Sequence, residues 1–278
     1  MMSFIKRRLT AYYLTHLTGE KHLLSINYNL HQILTNSNNR MKYMKNVGYQ
    51  IKYGESVRYF PTPECATYLY RKNVSSRGLT IGSGYFLDSI SFQDGDIIID
   101  CGANVGDLKL YFDLLKINIE YIAFEPNPNI YNFLAKNIFP SKCYQIALWN
   151  ESGQKSFFVS TDTADSSMIE HPFTDKIMNV EVKRLDELES RKIRLFKVEA
   201  EGAEIEVLKG AENILKNIDY ISADLGPERG MEQKNTIPSV TNYLLSKNFE
   251  LVEAIAPSNR RTFLFKNLAT KARARTGP

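Results

Sequence analysis

From Gly95 onward, short apolar runs alternate with longer amphipathic segments, the pattern of βαβ units that build a parallel sheet. Strands are predicted at Ile97–Asp100, Tyr121–Glu125, Tyr144–Leu148, Leu195–Glu199 and Tyr220–Leu225. Helices are predicted at Leu108–Lys116, from Pro128 to about Ile138, at Glu204–Asn217 and at Ile237–Lys247. Asn127 reads as the N-cap of the second helix, with Pro128 at its first position. A turn at Glu151–Gly153 leads into Ser156–Ser160, which is expected to pair with the third strand as a hairpin. Val180–Val182 reads as a short extended piece before a helical turn at Asp186–Ser190. Leu251–Ile255 and Thr262–Lys266 are separated by only a short turn and are expected to be antiparallel. Five parallel strands and this pair give a doubly wound α/β fold on a seven-stranded, mostly parallel sheet.

The first 90 residues carry a weaker pattern. Helical spacing spans Phe4–Leu17 and Leu23–Leu34, Asn36–Arg40 is a loop, Val57–Phe60 a short strand and Ala66–Arg71 a helical turn. The expected organisation is an N-terminal helical or irregular cap over residues 1–90, one large domain over 91–268, and a basic tail without order over 269–278.

A chain of 278 residues buries roughly 75% of its unfolded surface, so its core requires neither metal nor disulfide. Cys65, Cys101 and Cys143 are odd in number and far apart, the usage of reduced core thiols in the cytoplasm. The net charge of +4 gives no sign of a dedicated nucleic-acid binder. No apolar run reaches the ~18 residues of a membrane span, and no signal-peptide core is visible. Met2–Leu17 reads as an amphipathic helix, packed on its own domain or lying on a membrane surface.

The most informative stretch is Asp96–Asp107, DIIIDCGANVGD. A buried strand ends at Asp100, and a turn containing Gly102, Asn104 and Gly106 opens a helix. Glycine in such a turn lets a ligand approach the backbone. In a dinucleotide site the pyrophosphate sits on the helix N-terminus. Here Asp107 occupies the helix start and Asp100 precedes the turn. Two carboxylates about 5–6 Å from a phosphate would oppose it by several kcal/mol at low effective dielectric. A cationic ligand without phosphate suits the turn better, and S-adenosylmethionine, with its ammonium and sulfonium, fits. Glu125 ends the second strand about 20 residues further on, where an acid accepts hydrogen bonds from ribose hydroxyls. Pro126 and Asn127 fix the chain direction behind it. Ala147 and Leu148, at the end of the third strand, are placed to flank the adenine, and Trp149 beside them is equally well read as core. Gly102→Val is expected to abolish binding while the fold survives.

These pieces resemble the FkbM-type methyltransferases. The matching segments are IIIDCGANVGD at Ile97–Asp107, AFEPNP at Ala123–Pro128, IALWNESG at Ile146–Gly153, KVEAEGAEIEVLKGA at Lys197–Ala211 and ADLGPERG at Ala223–Gly230. They run in order over about Gly95–Asn267, and the Lys197–Ala211 block is the most specific. The chain departs from the family in carrying Glu199 where Asp is usual and Ala200 where a β-branched residue is usual. The carboxylate is kept and its reach grows by one methylene. The resemblance implies a Rossmann-like methyltransferase fold and O-methylation, often of sugars or secondary-metabolite hydroxyls. Independently of it, the Asn/Asp-Pro-Pro-aromatic motif of amino-methylating nucleic-acid enzymes is absent after the fourth strand, where Glu199-Ala200-Glu201-Gly202 stands instead.

A hydroxyl is a poor nucleophile and needs a base or a metal. Glu199, Glu201, Asp224 and Glu228 gather at the carboxyl ends of the fourth and fifth strands. Glu199 and Glu201 lead as base or as ligands to a divalent cation (Mg or Mn), because alternate strand residues point to one side. Glu204 and Glu206 read as a solvated face or helix-start charges. The long loop before Val180 is expected to close over the acceptor with Asp165, Ser166, Ser167 and His171. Arg229 reads as a substrate-positioning group or a structural ion pair. The expected acceptor is a glycan or small molecule. A lipid methyltransferase, a nicotinamide oxidoreductase and an inactive cofactor-binding module remain as alternatives.

Overall fold

A computed structural model of the chain describes residues 21–34, 38–45, 47–62, 70, 74–160, 166–255 and 261–269. The predicted Phe4–Leu17 helix, its membrane-surface alternative, the Ala66–Arg71 turn, Cys65, Asp165 and residues 270–278 of the tail lie outside the described residues. The chain divides into two compact units, Met1–Arg77 and Gly78–Pro278.

In the first unit, helix α1 (Lys21–Leu34) precedes an antiparallel meander of β1 (Arg40–Met44), β2 (Gly48–Tyr53) and β3 (Ser56–Phe60). Asn29 ties α1 to the sheet edge. Its Nδ2 donates to the Met41 carbonyl at 2.8 Å, and its Oδ1 accepts from the Met41 N–H at 2.7 Å. The Val57–Phe60 strand is present. Its two partners were not legible, because their alternation is broken by polar and aromatic residues.

Helix α2 (Val74–Gly84) crosses the unit boundary. The second unit continues with β4 (Ile97–Cys101), α3 (Lys109–Leu115), β5 (Glu120–Phe124), α4 (Pro128–Ile138), β6 (Lys142–Tyr144), β7 (Ala147–Leu148), β8 (Gly153–Val159) and β9 (Lys176–Lys183). Then come α5 (Leu185–Leu188), β10 (Ile193–Val198), α6 (Glu204–Lys209), a 3₁₀ segment at Glu212–Asn217, β11 (Ile218–Asp224), β12 (Pro227–Arg229), β13 (Lys234–Asn235), α7 (Ile237–Ser246), β14 (Phe249–Ala254) and β15 (Thr262–Asn267). The main sheet has seven strands in the order β14-β15-β11-β10-β4-β5-β6. The five strands from β11 to β6 are parallel, and β15 and β14 close the edge antiparallel.

Successive residues of the central strands feed opposite faces. Ile97, Ile99 and Cys101 join one core with Val207, Leu208, Val240 and Leu244, whereas Ile98 joins the other with Ile81, Tyr85, Phe112 and Leu134. Both faces are covered, which makes these strands almost wholly apolar. Strand order reverses between β4 and β10, so the crevice at their carboxyl ends is the topological switch point where ligands bind in such sheets.

Three local expectations are corrected. The predicted Tyr144–Leu148 strand is split: Lys142–Tyr144 is the sheet edge, and Ala147–Leu148 belongs to a separate sheet ordered β7-β9-β8. The Ser156–Ser160 segment therefore pairs not with the third strand but with β9, which runs from Lys176 and not from Val180. The Glu204–Asn217 helix is split into α6 and the 3₁₀ segment around Gly210, where the Trp149 carbonyl oxygen lies so near that a Cβ would stand 1.9 Å from it.

Candidate active site

The turn after β4 is shaped by positive φ at Gly102 (71°), Asn104 (49°) and Gly106 (82°). Two of its N–H groups return to the neighbouring strand, with Gly102 and Ala103 donating to the Phe124 carbonyl at 3.1 and 3.0 Å. Glu125 stands next to this turn and is 8% exposed. Its Oε2 accepts from the Asn104 N–H at 3.0 Å and its Oε1 from the Asn127 N–H at 2.9 Å. Each carboxylate oxygen retains a second acceptor lone pair, which is the pairing two ribose hydroxyls require. Asn127 caps α4 as expected, its Oδ1 accepting from the Asn129 N–H at 3.1 Å, and Pro126 leads the chain into it. Asp107 is buried at the entry to α3. These residues suit the ribose and methionine parts of S-adenosylmethionine. Ala147 and Leu148 are buried on β7, which pairs outside the main sheet; Leu148 packs into the main-sheet core with Ile122 and Phe124, and Trp149 packs by Ala147 with Lys155 over its ring.

Burial pushes the Glu125 carboxyl up to about 7 despite the two backbone donors. Ribose hydroxyls favour its ionised form. S-adenosylmethionine affinity is therefore expected to tighten as pH rises through about 7, with proton release on binding. Calorimetry in two buffers of different protonation enthalpy measures that release, and identical heats near pH 7 would contradict it.

Asp100 does not present a bare charge. Lys197, its in-register neighbour on β10, places Nζ 3.0 Å from Asp100 Oδ1 and 2.9 Å from Glu199 Oε2. The same ammonium donates to the carbonyls of Cys101 and Gly102 at 3.0 and 2.8 Å, and the Tyr121 hydroxyl donates to Asp100 Oδ2. Burial alone would lower the Lys197 pKa, but the carboxylates of Asp100 and Glu199 outweigh it and hold the ammonium above the usual lysine range. The expectation that Asp100 would repel a phosphate is thus corrected: Lys197 compensates its charge within the strand pair.

Gly102 is also required for a different reason than expected. A Cβ there would lie 2.0 Å from the Glu199 carbonyl oxygen, so the neighbouring backbone excludes a side chain before any ligand does. Gly102→Ala is expected to destabilise the protein by about 1–3 kcal/mol through strain at positive φ and steric overlap. Thermal melting checks this, and an unchanged midpoint would contradict it. Gly102→Val is therefore expected to disturb the fold as well as binding.

The turn after β10 brings the acidic block together. Strand geometry ends at Val198, and Glu201 takes φ 47° and Gly202 φ 95°. The alternation expected to converge Glu199 and Glu201 therefore stops before reaching them. Among the described residues no three His, Cys, Asp or Glu side chains come together to hold a metal, and Glu199 Oε2 is already taken by Lys197 and Tyr85. The site does not fit the divalent cation considered from the sequence.

Glu204 is not a solvated helix-start charge but fully buried. Its Oε1 accepts from the N–H groups of Ala200 and Gly202 at 3.1 and 2.9 Å, so it caps the acidic turn from below. Burial, then the nearby Glu228 charge, pushes its carboxyl up to about 8. Glu125 and Glu204 both bind protons more tightly folded than unfolded. The stability of the free protein is therefore expected to fall as pH rises from about 5 to about 8 and then to level off. Denaturation at a series of pH values checks the sign.

Arg229 is committed to structure: it forms a two-pronged pair with Glu206 at 2.8 Å for both contacts and donates to the Gly202 carbonyl. Glu228 precedes it, and a Cβ on Gly202 would lie 2.9 Å from the Glu228 carbonyl oxygen, which sets β12 directly against the acidic turn. Ser167 joins the group from the loop before β9, its hydroxyl donating to the Glu201 carbonyl at 2.8 Å. His171, further along that loop, is 4% exposed. Its Nδ1 accepts from the Phe173 N–H at 3.3 Å, which leaves the proton on a buried Nε2.

Sequence reasoning passed over Lys197, Tyr121, Tyr85 and the capping role of Glu204. Lys197 had a signal: with Arg194 it is one of two cations inside the otherwise apolar and buried strand IRLFKV, where a charge must have a partner. Tyr85 had none, lying before the alternating pattern begins.

The chain is 27% identical over 165 residues to the hexuronic acid methyltransferase AglP of Haloferax volcanii, covering 55% of this chain and 65% of that protein. It is 26% identical over 156 residues to methyltransferase 1 of Beauveria bassiana, covering 45% of this chain and 62% of that protein. It thus spans just under two thirds of the length of either relative. A crystal structure of methyltransferase FkbM from Methylobacillus flagellatus aligns over 73% of this chain and 57% of its own, at 16% identity and a TM-score of 0.48. Among the described residues no helix is long and apolar enough to cross a membrane. The model of the methyltransferase FkbM domain matches residues 100–251, more than half of the chain, from the acid that pairs with Lys197 to the edge strand of the sheet; the protein belongs to the FkbM family of S-adenosylmethionine-dependent methyltransferases.

Proposed function

We propose that the protein methylates a hydroxyl of a saccharide, with a uronic acid as the leading acceptor class, and that Glu199 takes the proton. The observation that carries this reading is the position of Glu199. Its backbone abuts the glycine turn, its carboxylate is anchored from inside by Lys197 and Tyr85, and its side chain stays 24% exposed. S-adenosylmethionine supplies an electrophilic methyl on a sulfonium. Glu199 accepts the hydroxyl proton as the acceptor oxygen bonds to the methyl carbon and the carbon–sulfur pair returns to sulfur. Positioning the two reacting atoms supplies much of the acceleration. Gly102, Asn104, Gly106 and Glu125 cradle the cofactor in this reading, and Glu201, Glu228 and His171 flank the acceptor. The saccharide assignment draws on the hexuronic acid methyltransferase among the relatives. The free thiols of Cys101 and Cys143 accord with a cytoplasmic setting.

The test is transfer of labelled methyl from S-adenosylmethionine to uronic-acid oligosaccharides, total lipid and RNA, with and without chelator. Label in the saccharide fraction, insensitive to chelator, is expected. Label confined to lipid or RNA overturns the acceptor, and loss of activity with chelator, restored by magnesium, overturns the metal-free route.

A further inference from the structure

We infer that Tyr85 is a positioning residue of the transfer reaction, fixing the Glu199 carboxylate at the crevice from a segment that precedes the family-matched domain. The inference rests on the reading of Glu199 as the proton acceptor. Tyr85 follows the last turn of α2, and its own backbone is held on two sides. Its N–H donates to the Ile81 and Gly82 carbonyls at 3.1 and 3.2 Å, and its carbonyl accepts from the Ser222 hydroxyl of β11 at 2.8 Å. Phe86 then takes φ 57°, in the left-handed region, directly after it.

The hydroxyl of this anchored ring donates to Glu199 Oε2 at 2.5 Å. Lys197 binds the same oxygen at 2.9 Å, and its Nζ lies 5.4 Å from the centre of the Tyr85 ring. Two donors on one carboxylate oxygen, from β10 and from the α2–β4 connection, fix the carboxylate more tightly than either could. Asp100 on β4 is the third charged neighbour and competes for Lys197. A buried tyrosine needs a partner for its hydroxyl, and many backbone carbonyls would serve. Here the partner is the half-buried acid beside the cofactor turn. Removing the donor frees the carboxylate to rotate and disfavours its charged form, which moves its titration upward.

Tyr85→Phe keeps the ring and deletes only the donor. In the full chain labelled with δ-¹³C glutamate, the Glu199 carboxyl signal is identified by its loss in Glu199→Gln. Its titration midpoint is expected to rise by about one pH unit in Tyr85→Phe, roughly a tenfold gain in proton affinity. The Kd for S-adenosylhomocysteine should stay within about twofold of wild type. With S-adenosylmethionine and a uronic-acid oligosaccharide, kcat is expected to fall about tenfold with KM little changed, and the acidic limb of the pH profile to move upward with the titration. An unchanged midpoint, or an unchanged profile in Tyr85→Phe beside a hundredfold loss in Glu199→Gln, overturns the inference and leaves Glu199 as the base. Full activity in Glu199→Gln overturns both. Wild-type inactivity on the saccharide overturns the acceptor class alone, and the Tyr85 inference then stands or falls on the titration.

Discussion

Lys197→Met is expected to destabilise the protein by about 3–5 kcal/mol, the cost of removing one partner from a buried ion pair. The ammonium is 3% exposed and serves two carboxylates and two backbone carbonyls. Its loss leaves Asp100, only 1% exposed, with Tyr121 as its remaining donor here and with no cation at 3.0 Å. It also leaves the carbonyls of Cys101 and Gly102 without the donor that draws the glycine turn towards β10. For a domain of about 200 residues this corresponds to a fall of roughly 6–20 °C in Tm. Urea denaturation with an unchanged slope measures the difference. Adding Asp100→Asn should recover part of it, because the second change removes the unpaired charge and neighbouring substitutions are not additive. A loss below about 1 kcal/mol would mean that water or a rotated side chain replaces the lysine.

For Glu125→Ala the expected result is a ten- to hundredfold loss of affinity for both S-adenosylmethionine and its demethylated product, about 1.5–3 kcal/mol. The acid does two things at once. In the proposed reading its remaining lone pairs accept from the ribose, and its carboxylate also holds the N–H groups of Asn104 and Asn127. Truncation therefore also leaves two backbone donors unsatisfied at about 1–3 kcal/mol each where they are buried, and stability should fall with affinity. Glu125→Gln separates the two roles. It preserves shape and one acceptor oxygen, so stability should fall less than in the alanine variant while affinity still drops. Calorimetry with each variant at matched pH supplies the numbers. An affinity in Glu125→Ala equal to that of wild type would place the ribose elsewhere.

Much of the second unit was legible because its signals are local. The switch from a short continuous apolar run to period 3.6 along Ile97–Lys116 is fixed by which side chains must be buried, and so is the apolar run of β10. Asn127 before Pro128 determines a helix start without reference to the rest of the fold. Glycine at 102 and 106 marks positive φ wherever the chain goes. The antiparallel closing pair followed from the short turn between two apolar runs.

What tertiary structure alone decided was pairing and charge. Whether Gly153–Val159 joins the strand before it or the one after it depends on which edge is free, and no local pattern encodes that. The glycine at 210 is needed because the Trp149 carbonyl, distant in sequence, comes against that backbone. Position along the chain assigned Asp100, Glu125, Glu199 and Glu204 to the glycine turn, a ribose, a base and a helix start, and only their partners fixed the state of each. Asp100 and Glu199 share Lys197, Glu204 is buried as a cap, and Glu125 is buried against the N–H groups of Asn104 and Asn127. The state of a carboxylate is set by burial and by donors within a few ångströms, and most of those donors lie far away along the chain. Tyr85 is the extreme case: 114 residues separate it from Glu199, and only the packing of α2 against the sheet brings its hydroxyl to that oxygen.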